Sequence, residues 1–148
     1  MSTDLHLLIS GHRADLAWSV TRRLMATDVP HYRELGPERV FDRATRLVNA
    51  LLESLADVPS SFVDYILEIA STRIGEGYFL QEMQVALSVL EEQGWQIIVA
   101  GFPCTEHATH LARLSGTIGA AKDALARAYL ARKRRADSLT SPRNSASQ

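Results

Sequence analysis

Apolar residues recur along most of this chain at steps of three and four, the spacing that places side chains on one face of an α-helix. The clearest stripe covers residues 40–55, with Arg39, Arg43 and Arg46 largely outside it. Similar stripes occupy four further segments, about residues 5–26, 60–74, 80–100 and 105–131. The pattern therefore predicts about five helices.

Proline and glycine residues separate these stripes at positions typical of helix ends. Pro30 is expected to end the first helix, because proline disfavours helical geometry in the residue before it. Pro37 suits the first turn of the second helix, where its missing amide costs nothing. Further breaks are expected at Val58-Pro59, at Gly75-Glu76-Gly77, at Gly101-Phe102-Pro103 and, within the first helix, at Ser10-Gly11.

The chain lacks the sequence signals of β-strands. No stretch alternates β-branched and polar residues between turn signals, which is the pattern of a half-buried strand. Residues 96–100 resemble a strand but continue the helical stripe of the fourth segment. The sequence therefore predicts an all-α fold. Long helices joined by short breaks fit either an antiparallel bundle or a globin-like packing.

Small residues mark places where two helices can approach closely. Gly94 occupies a position of the fourth stripe, which predicts a close helix crossing or an aromatic side chain packed nearby. In the last helix, one face carries only small side chains or none, at Gly116, Gly119, Ala120 and Ala124. We call it the thin face. Such a face fills a core poorly but allows close approach of another helix. We therefore predict a homodimer in which the last helix, with the fourth, supplies much of the interface; the alternative is that this face packs tightly within its own chain.

Composition and charge narrow the class of protein. With 148 residues, 46% of them hydrophobic, the chain is expected to form one helical domain over residues 1–136, followed by a disordered basic and polar tail over residues 137–148. Residues 1–131 carry 11 Arg or Lys against 16 Asp or Glu, whereas residues 132–148 carry 5 against 1. The folded body is therefore expected to repel nucleic acid.

Cysteine content and hydropathy bear on the compartment. The single cysteine, Cys104, excludes an internal disulfide and a cysteine-rich metal site. No apolar run is long enough for a signal-peptide core or a membrane span. These features predict a cytoplasmic protein that does not associate with the membrane.

The sequence contains few residue patterns suited to catalysis or metal binding. The glycines lack the pattern of a phosphate loop, and the serines lack that of a nucleophile elbow. His107 and His110, three residues apart on one helix face, form with Glu106 the best metal or haem candidate, but no companion carboxylate-histidine motif occurs elsewhere. Surface or partly buried histidines are the simpler interpretation. We therefore predict no catalytic residue, no metal site, no cofactor and no enzymatic activity.

Aromatic residues offer a second kind of candidate site. Trp18, Tyr65, Tyr78 and Trp95 are candidates for lining a small-ligand pocket. Aromatic residues at helical spacing also fill the cores of helical proteins. The sequence leaves both interpretations open.

Two groups of residues carry a family resemblance. The first is His12-Arg13-Ala14-Asp15-Leu16 with Trp18, and the second is Arg73-x-x-x-Gly77-Tyr78-Phe79-Leu80-Gln81-Glu82, followed by Leu87, Leu90 and Trp95. Over about residues 5–130 the chain resembles the N-terminal domain of RsbT co-antagonist proteins, of the RsbR and RsbRD type. The resemblance implies an all-helical input domain that precedes a STAS, kinase or DNA-binding output domain. The RsbR relatives are likened to globins that lack haem.

The sequence favours a non-enzymatic sensory or regulatory module that acts through protein-protein contact and helix repacking, as in a bacterial stress response. Its expected partners are a second copy of itself and a signalling protein of the STAS, kinase or anti-sigma type. The alternative is a globin-like haem- or small-ligand-binding protein that uses His107 or His110. Because nothing folded is expected after residue 136, the chain would act alone, in trans or as part of a larger protein.

Overall fold

The computed structural model of the protein describes residues 2–140, which contain seven α-helices, one 3-10 turn and no β-strand. The helices are α1 (Ser2–Gly11), α2 (Arg13–Met25), α3 (Pro30–Leu35), α4 (Pro37–Ala56), α5 (Ser61–Arg73), α6 (Phe79–Gly101) and α7 (His107–Thr140), with the 3-10 turn at Cys104–Glu106. The all-α prediction is confirmed. The predicted number of about five helices is wrong, because two places in the first 36 residues add a helix each.

The first added helix comes from a break at His12. The His12 ring nitrogen Nδ1 lies 2.9 Å from the carbonyl oxygen of Leu8, and the His12 backbone N–H donates to Ile9 rather than continuing the α-helical pattern. Side chains that bond to nearby backbone groups compete with helix continuation. The predicted interruption at Ser10-Gly11 therefore divides the segment into α1 and α2.

The second added helix begins at Pro30. Proline was expected to end the first helix, and it does follow the end of α2, but it also occupies the first turn of the six-residue helix α3. Its fixed φ and its lack of an amide suit that position. Gly36 then joins α3 to α4 with a φ of 84°, in the left-handed region that glycine adopts without strain.

The core lies where α2 packs against α4 and α6, with α1 beside α4 and α6. The apolar stripe of α4 is buried as predicted, and its most enclosed members are Val40, Ala44, Val48, Leu51 and Leu55. Phe62 of α5 and Phe79 of α6 are also fully enclosed. None of the helices within residues 2–140 combines the length and apolar character needed to cross a membrane.

The long helix α7 packs along α5 and α6. It runs antiparallel to α6, since Trp95 contacts Ser115 while the earlier Ser88 contacts the later Lys122. A Cβ atom at Gly94 would lie 2.7 Å from Leu114 Cδ2, which confirms the predicted close crossing. The helix continues past residue 136 to Thr140, and the rest of the predicted tail, residues 141–148, lies outside the described residues.

Candidate functional site

A carboxylate is buried inside this helical core. The side chain of Glu82 on α6 is 4% exposed. It lies three residues after Phe79 and four before Ala86, both of which are buried, so the helix directs all three toward the core. Burying an isolated carboxylate is costly, and charged side chains are almost never enclosed unless they are paired. The surroundings of Glu82 must therefore supply cations.

Two arginines from different helices meet this carboxylate. The Arg43 Nη1 of α4 donates to Glu82 Oε1 at 2.8 Å, and the Arg73 Nη2 of α5 donates to Glu82 Oε2 at 3.2 Å. On a third side, His31 Nε2 lies 3.8 Å from Glu82 Oε2, and that buried nitrogen has no hydrogen-bond partner. The helices α3, α4 and α5 thus each direct one side chain at the buried carboxylate of α6. We call Glu82, Arg43, Arg73 and His31 the Glu82 cluster.

Arg73 links the buried carboxylate to a second one at the surface. Its Nη2 also donates to Glu76 Oε2 at 3.1 Å, and its guanidinium carbon lies 5.2 Å from the centroid of the Phe79 ring. Burial alone would lower the pKa of Arg73, but hydrogen bonds and charge attraction from Glu76 and Glu82 outweigh it and raise the net pKa. The hydrogen bond from Arg73 also lowers the pKa of Glu76.

Aromatic residues close this cluster on the side of α3. The Tyr32 hydroxyl donates to the backbone carbonyl of Glu82. Burial, followed by the nearby Glu82 charge, raises the pKa of Tyr32, which keeps the phenol protonated as a donor. The ring of Tyr78 stacks on His31 with centroids 4.3 Å apart. The loop before α6 and the helix α3 are therefore both held against the Glu82 cluster.

A cavity of about 240 Å³ opens beside this cluster, between α4 and α5. Its polar lining residues are Tyr32, Arg43, Arg46, Tyr65, Thr72, Arg73 and Glu82. Its apolar lining residues are Leu24, Val40, Ala44, Leu47, Ile69 and Met83. Burial is the main cause that raises the pKa of Tyr65, so its phenol is also a proton donor at neutral pH. Convergent polar groups in a largely apolar cavity are typical of small-molecule sites.

The four aromatic residues predicted as pocket lining lie at separate places. Tyr65 lines the cavity, and Tyr78 covers His31. Trp18 stacks on Phe41 with centroids 4.0 Å apart. Trp95 lies on the outer surface of α6, where its indole N–H donates to Ser115 Oγ at 2.9 Å. Of the four, Tyr65 is the one whose position fits a ligand pocket shared with the buried charges.

The small residues predicted as an interface lie at the surface of α7. Gly116, Gly119 and Ala120 are exposed, and Ala124 is half-buried. A Cβ atom at Gly116 or Gly119 would meet no atom within 4 Å. The neighbouring helix α6 exposes two bulky apolar side chains, Trp95 at 43% and Val99 at 53%, and Trp95 contacts Ser115, the residue before Gly116.

The histidines considered for metal or haem are engaged in the turn between α6 and α7. His107 Nε2 lies 2.8 Å from the carbonyl oxygen of Phe102, whose ring stacks on His110 with centroids 3.7 Å apart. His110 is buried, and its Nε2 lies 3.5 Å from Glu106 Oε1. Within residues 2–140, no three His, Cys, Asp or Glu side chains are grouped so that they could hold a metal ion.

Sequence reasoning missed the role of Glu82, although a signal for it existed. Glu82 falls on the apolar stripe of α6, where a charged residue indicates a buried ion pair. Arg73 is the single basic residue between Glu53 and Glu106 in the sequence. Both residues belong to the segment that carries the family resemblance, and the structure joins them directly.

Comparisons with family models, with curated proteins and with solved structures give no match to this chain.

Proposed function

We propose that this chain is a non-enzymatic regulatory module of the cytoplasm that works as a homodimer through the exposed face of α6 and α7. We call this face, made of Trp95, Val99, Gly116, Gly119 and Ala120, the α6/α7 face. The observation that carries the proposal is the exposure of Trp95, which contacts Ser115 next to the small residues of α7, and of Val99 one turn further along α6.

The chemistry of the α6/α7 face fits a protein interface better than a solvated surface. Tryptophan is enriched at interface cores and among the residues that contribute most to binding. The exposed part of Trp95 gains little from water, because its indole N–H is already bonded to Ser115. A stable interface buries about 800 Å² on each partner, so both helices must contribute.

A second copy of the chain supplies a complementary shape. In a two-fold symmetric contact the same patch meets itself, so the bulky side chains of one protomer can lie against the thin stripe of the other. The open space above Gly116 and Gly119 allows a partner helix to approach closely. This arrangement leaves the internal packing of each chain unchanged.

The internal packing gives this dimer a route for signal transmission. The helices α5 and α6, which carry Arg73 and Glu82, both pack against α7. A change in the Glu82 cluster would shift these helices and therefore the α6/α7 face. The resemblance to RsbT co-antagonist input domains supports the same role, with a STAS, kinase or anti-sigma protein as the receiver of the signal.

Sedimentation equilibrium tests the homodimer with a matched pair of variants. Gly119→Leu places a bulky side chain in the α6/α7 face, whereas Gly11→Leu makes the same change at an exposed glycine of α1 whose Cβ position is also open. We expect twice the 16.4 kDa chain mass for the unmodified protein and for Gly11→Leu, and the monomer mass for Gly119→Leu. A monomeric unmodified protein, or a dimeric Gly119→Leu, would contradict the proposal.

A further inference from the structure

We propose that the cavity between α4 and α5 binds a small organic carboxylate with an apolar body. Binding itself is independent of the dimer. The further step, that this ligand is the signal to which the module responds, rests on the proposed function.

The charge of the cavity lining favours an anion. Three guanidinium groups line it, those of Arg43, Arg46 and Arg73, against the single carboxylate of Glu82. Each guanidinium carries five N–H donors, and Glu82 engages one nitrogen of Arg43 and one of Arg73. The other acidic partners, Asp42 of Arg46 and Glu76 of Arg73, do not line the cavity. The lining itself therefore carries more positive than negative charge, while Asp42 and Glu76 pair with Arg46 and Arg73 from outside the cavity.

The outer part of the cavity offers donors suited to a carboxylate. The Tyr65 phenol lines the cavity and has no hydrogen-bond partner among residues 2–140. Its neighbours include Arg46 and Arg43, whose charges both act on the phenol. Thr72, in contrast, already donates its hydroxyl proton to the carbonyl of Ile69. Tyr65 and Arg46 are thus the groups that can donate to a ligand oxygen without breaking an existing buried pair.

The apolar lining residues and the volume of the cavity indicate the size and the apolar part of the ligand. Leu24, Leu47, Ile69 and Met83 supply most of the bulky apolar lining of the cavity. A dry apolar cavity of about 150 Å³ is known to hold benzene, so a cavity of 240 Å³ holds roughly ten non-hydrogen atoms by proportion. A benzene ring with a short acid side chain, as in phenylacetate, matches this size and combines an anion with an apolar body. Inorganic phosphate would leave the apolar wall without a contact.

Isothermal titration calorimetry with phenylacetate tests the site. We expect saturable binding of one molecule per chain, and at least about tenfold weaker binding of the neutral isostere phenylacetamide. Inorganic phosphate should bind more weakly than phenylacetate. The inference is overturned if phenylacetate does not saturate, if phenylacetamide binds equally well, or if phosphate binds as tightly.

A matched pair of arginine variants locates the binding. Arg46→Met removes an exposed guanidinium that lines the cavity, and Arg39→Met removes an exposed one that lies seven residues earlier on the same helix and does not line it. We expect Arg46→Met, and to a smaller extent Tyr65→Phe, to weaken phenylacetate binding about tenfold or more relative to Arg39→Met. Equal affinities for the two arginine variants would overturn the assignment.

The same titration in Gly119→Leu separates this inference from the homodimer. If that variant is monomeric and binds phenylacetate normally, the cavity is a site in its own right. Sedimentation of the unmodified protein with and without phenylacetate then tests the signalling role, and an unchanged dimerisation constant overturns that role while leaving the binding site. Absence of binding in a protein that still dimerises overturns the site and leaves the proposed function.

Discussion

Removal of the two arginines around Glu82 should reveal a strongly cooperative cluster. In Arg43→Met, Glu82 keeps Arg73 at 3.2 Å, and in Arg73→Met it keeps Arg43 at 2.8 Å. We expect each single variant to lose about 1 kcal/mol, below the 1.5–3 kcal/mol typical of charged hydrogen bonds. The reason is that Arg43 is 38% and Arg73 20% exposed, so water already screens both.

The double variant should cost much more than the sum of the two single variants. It leaves a carboxylate that is 4% exposed without either guanidinium, and breaking a buried ion pair in this way costs roughly 3–5 kcal/mol. The coupling free energy is therefore about 1–3 kcal/mol, in the range of directly interacting side chains. Adding Glu82→Leu to the double variant should recover at least about 2 kcal/mol, because an apolar replacement of a buried ion cluster is often neutral.

Urea denaturation followed by far-ultraviolet circular dichroism gives these free energies. All variants should be compared at one protein concentration, because dimerisation would make the apparent stability depend on it. Strictly additive losses, or a triple variant that is no more stable than the double, would refute the view that Glu82 is a buried charge held by both arginines.

Three further changes test other contacts. Gly94→Ala should lose about 1 kcal/mol, because the new Cβ would lie 2.7 Å from a buried leucine of α7. Gly116→Ala, made in the Gly119→Leu background where the α6/α7 face is unpartnered, should gain up to about 1 kcal/mol of helix propensity, and thermal unfolding measures both changes. Ser54→Ala should cost about 1–3 kcal/mol in urea denaturation, since it leaves a buried backbone N–H at the start of α5 without its acceptor. The hydrogen bond from Arg73 lowers the pKa of Glu76 in the folded protein below its ordinary value of 4.5. The pair should therefore stabilise the protein fully at pH values above 4.5 and lose this effect as the pH falls through the lower pKa of the folded state. Denaturation of Glu76→Gln at a series of pH values should lack this pH dependence.

The helices that bury a continuous stripe were predictable from sequence. Residues 40–55 place apolar side chains at helical spacing, and the structure buries that stripe within α4. Gly94 likewise predicted a close helix crossing, because a missing side chain within a buried stripe leaves room for a neighbour. These are consequences of periodicity, which acts over a few residues and is visible in the chain itself.

Features that depend on tertiary context were harder to predict. Pro30 has the same local preferences whether a helix ends before it or begins at it, and the packing of α3 against α4 decides the outcome. Glu82 could be recognised as misplaced on an apolar stripe, but its partners Arg43 and Arg73 lie 39 and 9 residues away. Only the assembled helices show which cations meet this carboxylate and that a cavity opens beside them.

The fluorescence of Trp95 tests the proposed dimer face most directly. In a Trp18→Phe variant, which retains an aromatic ring against Phe41, Trp95 is the single tryptophan. Its side chain is 43% exposed in one chain, so acrylamide should quench it readily in nanomolar solution. We expect the emission to shift to shorter wavelength and quenching to fall markedly as the concentration rises to tens of micromolar, in step with dimerisation measured by sedimentation. Unchanged emission and quenching in a solution that sedimentation shows to be dimeric would contradict the assignment of the α6/α7 face as the interface.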